Sequence, residues 1–81
     1  MPKNDILSIY MDKSKTWKRV GLKLKAARRK KKMTQADVAE KAGLNTNYYA
    51  CIERGEENPS GKKLESIFKV LGVKSSTILP F

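Results

Sequence analysis

A chain of 81 residues allows one small domain, burying roughly 60 to 70% of the surface its unfolded form exposes, and this excludes most multi-domain enzymes. Its formal net charge of +10, from 18 Lys and Arg against 8 Asp and Glu, points to a polyanionic partner, either nucleic acid or an anionic membrane. One cysteine, Cys51, and no histidine offer no disulfide framework, no metal-ligand spacing and no imidazole for acid–base chemistry, so no metal, cofactor or catalysis is expected and a reducing cytoplasm is the expected compartment.

The chain opens MPKNDILSIYMDKSK, which has no apolar run of signal-sequence or membrane-spanning length and is expected not to be a targeting peptide. Residues 1–15 are read as an N-terminal arm or a short extra helix, with ILSIYM either an arm, a helix started at Asn4 and Asp5 that covers Leu22, or disordered. From there Trp17, Val20, Leu24 and Ala27 recur at i, i+3, i+7 and i+10, which predicts a first helix over about residues 16–31 with one apolar stripe. Residues 13–36 also carry eleven Lys or Arg and no acid, so this segment is an electrostatic face. Thr34 can cap a second helix over residues 35–42, with Asp37 completing the capping box and Met33 packing on Val38 as a staple. Gly43 supplies the left-handed residue that stops it.

Asn45 is placed to cap a third helix whose core side is Tyr49 and Ile52, closed by Gly55 and Pro59. A fourth helix follows from the cap Ser60, with Leu64, Ile67, Phe68 and Leu71 at i, i+3, i+4 and i+7, and it ends at Gly72. A last turn from Ser75 to Leu79 precedes Pro80 and Phe81. No strand-like alternation or repeat interrupts the pattern. Residues 16–81 are thus expected to form one compact all-α domain of five helices. Two short helices joined by a turn containing glycine are a helix-turn-helix, whose second helix enters the DNA major groove. Ala39 allows the close approach and Gly43 makes the turn, while the outward side of the third helix, Thr46, Asn47, Ala50 and Cys51, is short and polar enough to sit against base edges.

The segments MTQADVAEKAGL, YYACIERGEENPS and LESIFKVLGV at their joint spacing resemble the lambda repressor and Cro type of helix-turn-helix regulators, the XRE family, which includes controller proteins of restriction-modification systems. The resemblance covers residues 20–79. It implies that Gln35 grips a phosphate, that Thr46, Asn47, Ala50 and Cys51 face the bases, and that Arg28 pairs with Glu53. It also implies a homodimer paired through the C-terminal segment, for which Ile78, Leu79 and Phe81 are the candidate contacts, the alternative being that they fold back onto Leu64 and Phe68 within one chain. Lys32 stands where the family commonly has glycine, which predicts a strained or differently shaped turn, and Tyr49 stands where a smaller aliphatic anchor is usual.

The sequence therefore predicts a double-stranded DNA-binding transcriptional regulator that occupies a palindromic operator, with Thr34, Gln35, Thr46, Asn47, Tyr48, Ala50, Cys51 and Arg54 as the DNA-facing set. Within that class the alternative is the antitoxin of a toxin-antitoxin pair. An RNA-binding module would instead present stacking aromatics on a platform, and a membrane-surface helix would set large apolar residues opposite its lysines. GEENPSGKK only faintly resembles a phosphate loop, since no Ser or Thr follows its lysines and no strand precedes it. Cys51 on the third helix is read as a small residue that fits the groove in preference to a redox switch.

Overall fold

A computed structural model describes residues 13–79. Five helices follow one another among them: α1 Lys13–Lys30, α2 Gln35–Ala42, α3 Thr46–Glu53, α4 Gly61–Leu71 and α5 Ser75–Ile78. The first begins three residues earlier than its apolar stripe predicts, because Lys13 to Lys15 carry no helix breaker and no stop signal precedes Thr16. The proposed packing of residues 4–11 over Leu22 lies outside the described residues. Leu22 itself is 63% exposed, the large apolar side chain that stands out from the described surface.

Local signals set the boundaries. The Thr34 hydroxyl accepts the Asp37 N–H at 3.0 Å while the Asp37 carboxylate accepts the Thr34 N–H at 2.9 Å, a complete capping box. These bonds, the one to the Thr34 backbone above all, hold the exposed Asp37 carboxyl below its usual range. The Asn45 side chain accepts from both Asn47 N–H and Tyr48 N–H at the head of α3, and Ser60 accepts from Lys63 N–H at the head of α4. Gly43 and Gly72 stop α2 and α4 at φ 73° and 66°. Lys32, between α1 and α2, takes the same left-handed conformation at φ 57°. The turn therefore keeps the shape glycine would give it and carries strain, since a side chain there costs on the order of 1 kcal/mol.

The core is one cluster built from every helix. Val20 and Leu24 of α1 meet Val38 and Ala39 of α2, Tyr49 and Ile52 of α3, Leu64, Ile67, Phe68 and Leu71 of α4, and Ile78 of α5. Seven of these side chains are almost completely enclosed: Tyr49, Leu24, Ile52, Ile67, Leu71, Val20 and Val38. At about 1.5 to 3 kcal/mol for each large aliphatic or aromatic group buried, they supply most of the drive to fold. Ile78 is 3% exposed, which corrects the expectation that it forms a dimer contact. The turn of α5 folds back onto the bundle, and its isoleucine completes the core of its own chain. Leu79 is half-buried against that core, and Phe81 lies outside the described residues.

Candidate nucleic-acid interface

The helix-turn-helix unit is held from beneath by a buried ion pair. Arg28 of α1 donates from Nε to Glu53 Oε2 at 2.7 Å and from Nη2 to Glu53 Oε1 at 3.1 Å, and from Nη1 to the Met33 carbonyl at 2.9 Å. Gln35, the first residue of α2, donates from Nε2 to Glu53 Oε1 at 2.9 Å. One carboxylate at the end of α3 thus ties together the last turn of α1 and the start of α2, while Arg28 holds the α1–α2 turn through the Met33 carbonyl. The side chains of Arg28 and Glu53 are only 11% and 2% exposed. Burial alone would raise the Glu53 carboxyl, but the hydrogen bonds from Arg28 and Gln35 outweigh it and hold the group below its ordinary value of 4.5.

Tyr49 lies beside this pair. Its hydroxyl is buried and feels the charges of Glu53 and Arg28, yet among the described residues it has no hydrogen-bond partner of acceptable geometry, and burial drives its ionisation far above the usual range. The larger anchor is accommodated because the ring fills the centre of the bundle. The unpaired hydroxyl accompanies that fit.

Two glycines set how closely α1 approaches α3. A Cβ on Gly21 would overlap the backbone carbonyl of Glu53, and one on Gly55 would lie 2.6 Å from the Cα of Lys18. Gly55 also sits at φ 75°, so it turns the chain out of α3 and lets the first helix rest on that turn. The close approach at Gly21 is absent from the sequence reading. Its signal was available as an isolated glycine inside a strong helical pattern, a placement that weakens a helix unless another backbone needs the space.

With α3 fixed in this way, Thr46 and Asn47 stand exposed on its first turn. The side chain of Asn47 makes no hydrogen bond within the described residues, because Asn45 alone supplies the cap. Ala50 and Cys51, one turn further along, are half-buried, so the exposed face narrows toward the end of the helix. Tyr48 is half-buried with the Lys63 ammonium 4.6 Å from its ring centre, a cation–π contact that joins α3 to α4. Arg54 is exposed, donates to Cys51 Sγ at 3.2 Å and pairs with Glu56 at 3.1 Å. The hydroxyl oxygen of Thr34 is engaged in the cap, and the Gln35 amide in its bond to Glu53, which leaves one Gln35 amide hydrogen for an outside acceptor.

The helix-turn-helix family matches residues 24–78, more than half of the 81-residue chain. The chain belongs to the lambda-repressor and Cro type of helix-turn-helix proteins. It is 45% identical over 60 residues to the immunity repressor protein of Bacillus phage phi105, a match covering 74% of this chain and 42% of that protein. The HTH-type transcriptional regulator SinR of Bacillus subtilis is 38% identical over 61 residues, covering 74% of this chain and 55% of its own length. The uncharacterized HTH-type transcriptional regulator y4dJ of Sinorhizobium fredii is 36% identical over 56 residues, with 69% and 73% covered. The chain spans about half the length of the first two relatives. Within the matched residues α2 and α3 are the two helices of the helix-turn-helix, with α1, α4 and α5 packed around them.

No helix among the described residues is long and apolar enough to cross a membrane. Positive charge gathers instead along α1 and the turn after it, where Lys18, Arg19, Lys23, Arg29, Lys30, Lys31 and Lys32 are all exposed.

Proposed function

We propose that this helix-turn-helix chain is a sequence-specific double-stranded DNA-binding transcriptional regulator, acting in the cytoplasm by occupying a palindromic operator. The observation that carries the reading is the first turn of α3: Thr46 and Asn47 are exposed without side-chain partners among the described residues, on a helix whose other side is locked by Tyr49, Ile52 and the Glu53 ion pair. Asparagine can bond adenine through both its amide groups, and threonine can bond a base or touch a thymine methyl, with a good bidentate contact giving about 1 to 3 kcal/mol of discrimination. Asn47 is the first candidate for base readout and Thr46 the second. Gln35 holds a phosphate through its remaining amide hydrogen. Its bond to Glu53 fixes where that hydrogen lies, so gripping and reading are set by one framework.

The relatives' names support this reading, since one is a repressor and two are HTH-type transcriptional regulators. Binding without catalysis is what the exposed residues can do. Pairing into a homodimer would use Leu79 and the groove of about 480 Å³ beside it, walled by Leu64, Phe68 and Val73. A domain this small reads few base pairs alone, and a two-fold dimer doubles the site. Sedimentation of the parent and Leu79→Asp checks the pairing.

Selection from a random duplex pool, followed by competition with sites altered one base pair at a time, tests the function. Asn47→Ala should flatten the preference at one or two positions per half-site, whereas Gln35→Ala should weaken every sequence alike. Recovery of no consensus from the pool would overturn the proposal.

A further inference from the structure

A cleft of about 420 Å³ opens between α1 and the turn that leaves α3, with Lys18, Leu22 and Lys25 on one wall and Gln35, Arg54 and Glu56 around the rest. Lys18, Leu22 and Lys25 fall at i, i+4 and i+7 and so share one face of α1, the two lysines about 10.5 Å apart along the axis. This wall is rigidly tied to α3, because Gly55 packs on the backbone of Lys18 and Gly21 on the carbonyl of Glu53. Glu53, at the floor, does not neutralise the wall, since its carboxylate already accepts from Arg28 and Gln35.

The cleft already contains one anionic group of its own. Glu56 pairs with Arg54 at 3.1 Å while both side chains stay more than half exposed. Its carboxyl is held below the usual range, first by the hydrogen bond from Arg54 and in smaller part by the charge of Lys18. A carboxylate of the chain therefore sits among the cations of the cleft and marks where an anion is stabilised. Exposed ion pairs of this kind contribute little, so an outside anion with more negative oxygens displaces it easily. At the lip, the exposed Leu22 offers an apolar surface of the kind a deoxyribose ring would cover.

We propose that this cleft is a phosphodiester site, in which Lys18, Lys25 and Arg54 hold a DNA backbone phosphate beside the recognition helix, Leu22 meets the adjoining sugar, and Glu56 is the internal placeholder that the phosphate displaces. The inference rests on the DNA-binding reading above and adds to it a second grip, on α1, and a carboxylate that opposes binding. Phosphate contacts set register without carrying sequence information, so the site acts equally on every duplex.

The test titrates a short fluorescent random-sequence duplex with the parent chain and with Lys18→Ala, Lys25→Ala, Glu56→Gln and the control Lys69→Ala, across a series of salt concentrations. Lys69 is exposed on α4, away from the cleft. Each cleft lysine variant should lower the slope of log affinity against log salt by about 0.9, the value of one phosphate contact, and Lys69→Ala should keep the parent slope. Glu56→Gln should bind about threefold tighter or more, the size of one unit-charge repulsion across roughly 6 Å of water. Thermal melts confirm that each variant is folded. Unchanged slopes for Lys18→Ala and Lys25→Ala, or a Glu56→Gln that binds no tighter, would overturn the cleft while leaving the DNA reading intact. A folded parent that binds no duplex at any salt concentration would remove both.

Discussion

Replacing Arg28 with methionine keeps the length of the side chain and deletes its charge, which leaves the Glu53 carboxylate, 2% exposed, with only the Gln35 amide as a donor. Breaking a buried pair from one side costs about 3 to 5 kcal/mol, because the remaining charge has lost both water and partner. A domain of 81 residues at about 0.05 to 0.15 kcal/mol per residue has roughly 4 to 12 kcal/mol in all. At about 4 to 8 °C per kcal/mol, Arg28→Met should melt about 12 to 40 °C below the parent, whereas Arg29→Met, at the exposed neighbouring position, should stay within a few degrees. The effect also has a pH signature. In the parent the Glu53 carboxyl lies below its ordinary 4.5, so its contribution is present above that pH and is lost as pH falls further. In Arg28→Met the stranded carboxyl rises above 4.5, the folded state takes up a proton that the unfolded chain does not, and stability increases as pH is lowered from 7 toward 4.5. The gap between the two proteins should therefore narrow over that range in melts followed by circular dichroism. Equal melting of Arg28→Met and Arg29→Met, or a gap independent of pH, would refute the reasoning.

The other expectations concern the fit around α3. Gly21→Ala should lose several kcal/mol in urea unfolding despite the better helix propensity of alanine, since its methyl would overlap the Glu53 carbonyl, while Gly61→Ala, with open space around it, should be neutral or mildly stabilising. Tyr49→Phe removes the buried hydroxyl that has no partner among the described residues and should leave the chain at least as stable as the parent, by up to about 1 kcal/mol; a clear loss in the same assay would show that the hydroxyl is bonded in solution. Lys32→Gly relieves the left-handed residue at φ 57° and should add up to about 1 kcal/mol, the steric gain being partly offset by the greater freedom of glycine in the unfolded chain. A lower melting temperature for that variant would place the strain elsewhere.

The amino-acid sequence by itself determined the helices from α2 onward and their ends, and the stripe of α1 but not its start. The Thr34–Asp37 box, the caps at Asn45 and Ser60 and the stops at Gly43 and Gly72 act through bonds spanning a few residues, so their geometry follows from local order alone. The apolar stripe of α1 and the stripe Leu64, Ile67, Phe68 and Leu71 were legible for the same reason, since a face repeating every 3.6 residues has to be covered. The Arg28–Glu53 pair was named through family resemblance, because 25 residues separate its members and no short-range rule joins them. Only the tertiary structure decided that Ile78 belongs to the core and not to an open surface, that Gln35 donates to Glu53, and that Gly21 and Gly55 let α1 settle onto the end of α3. It also decided that Lys18, Lys25 and Glu56 share one cleft with Arg54. Each of these depends on which residues meet across helices. Meeting is set by the packing of the whole core, where the gain from excluding water is shared among all five helices and the place of any one side chain depends on the shape of the others.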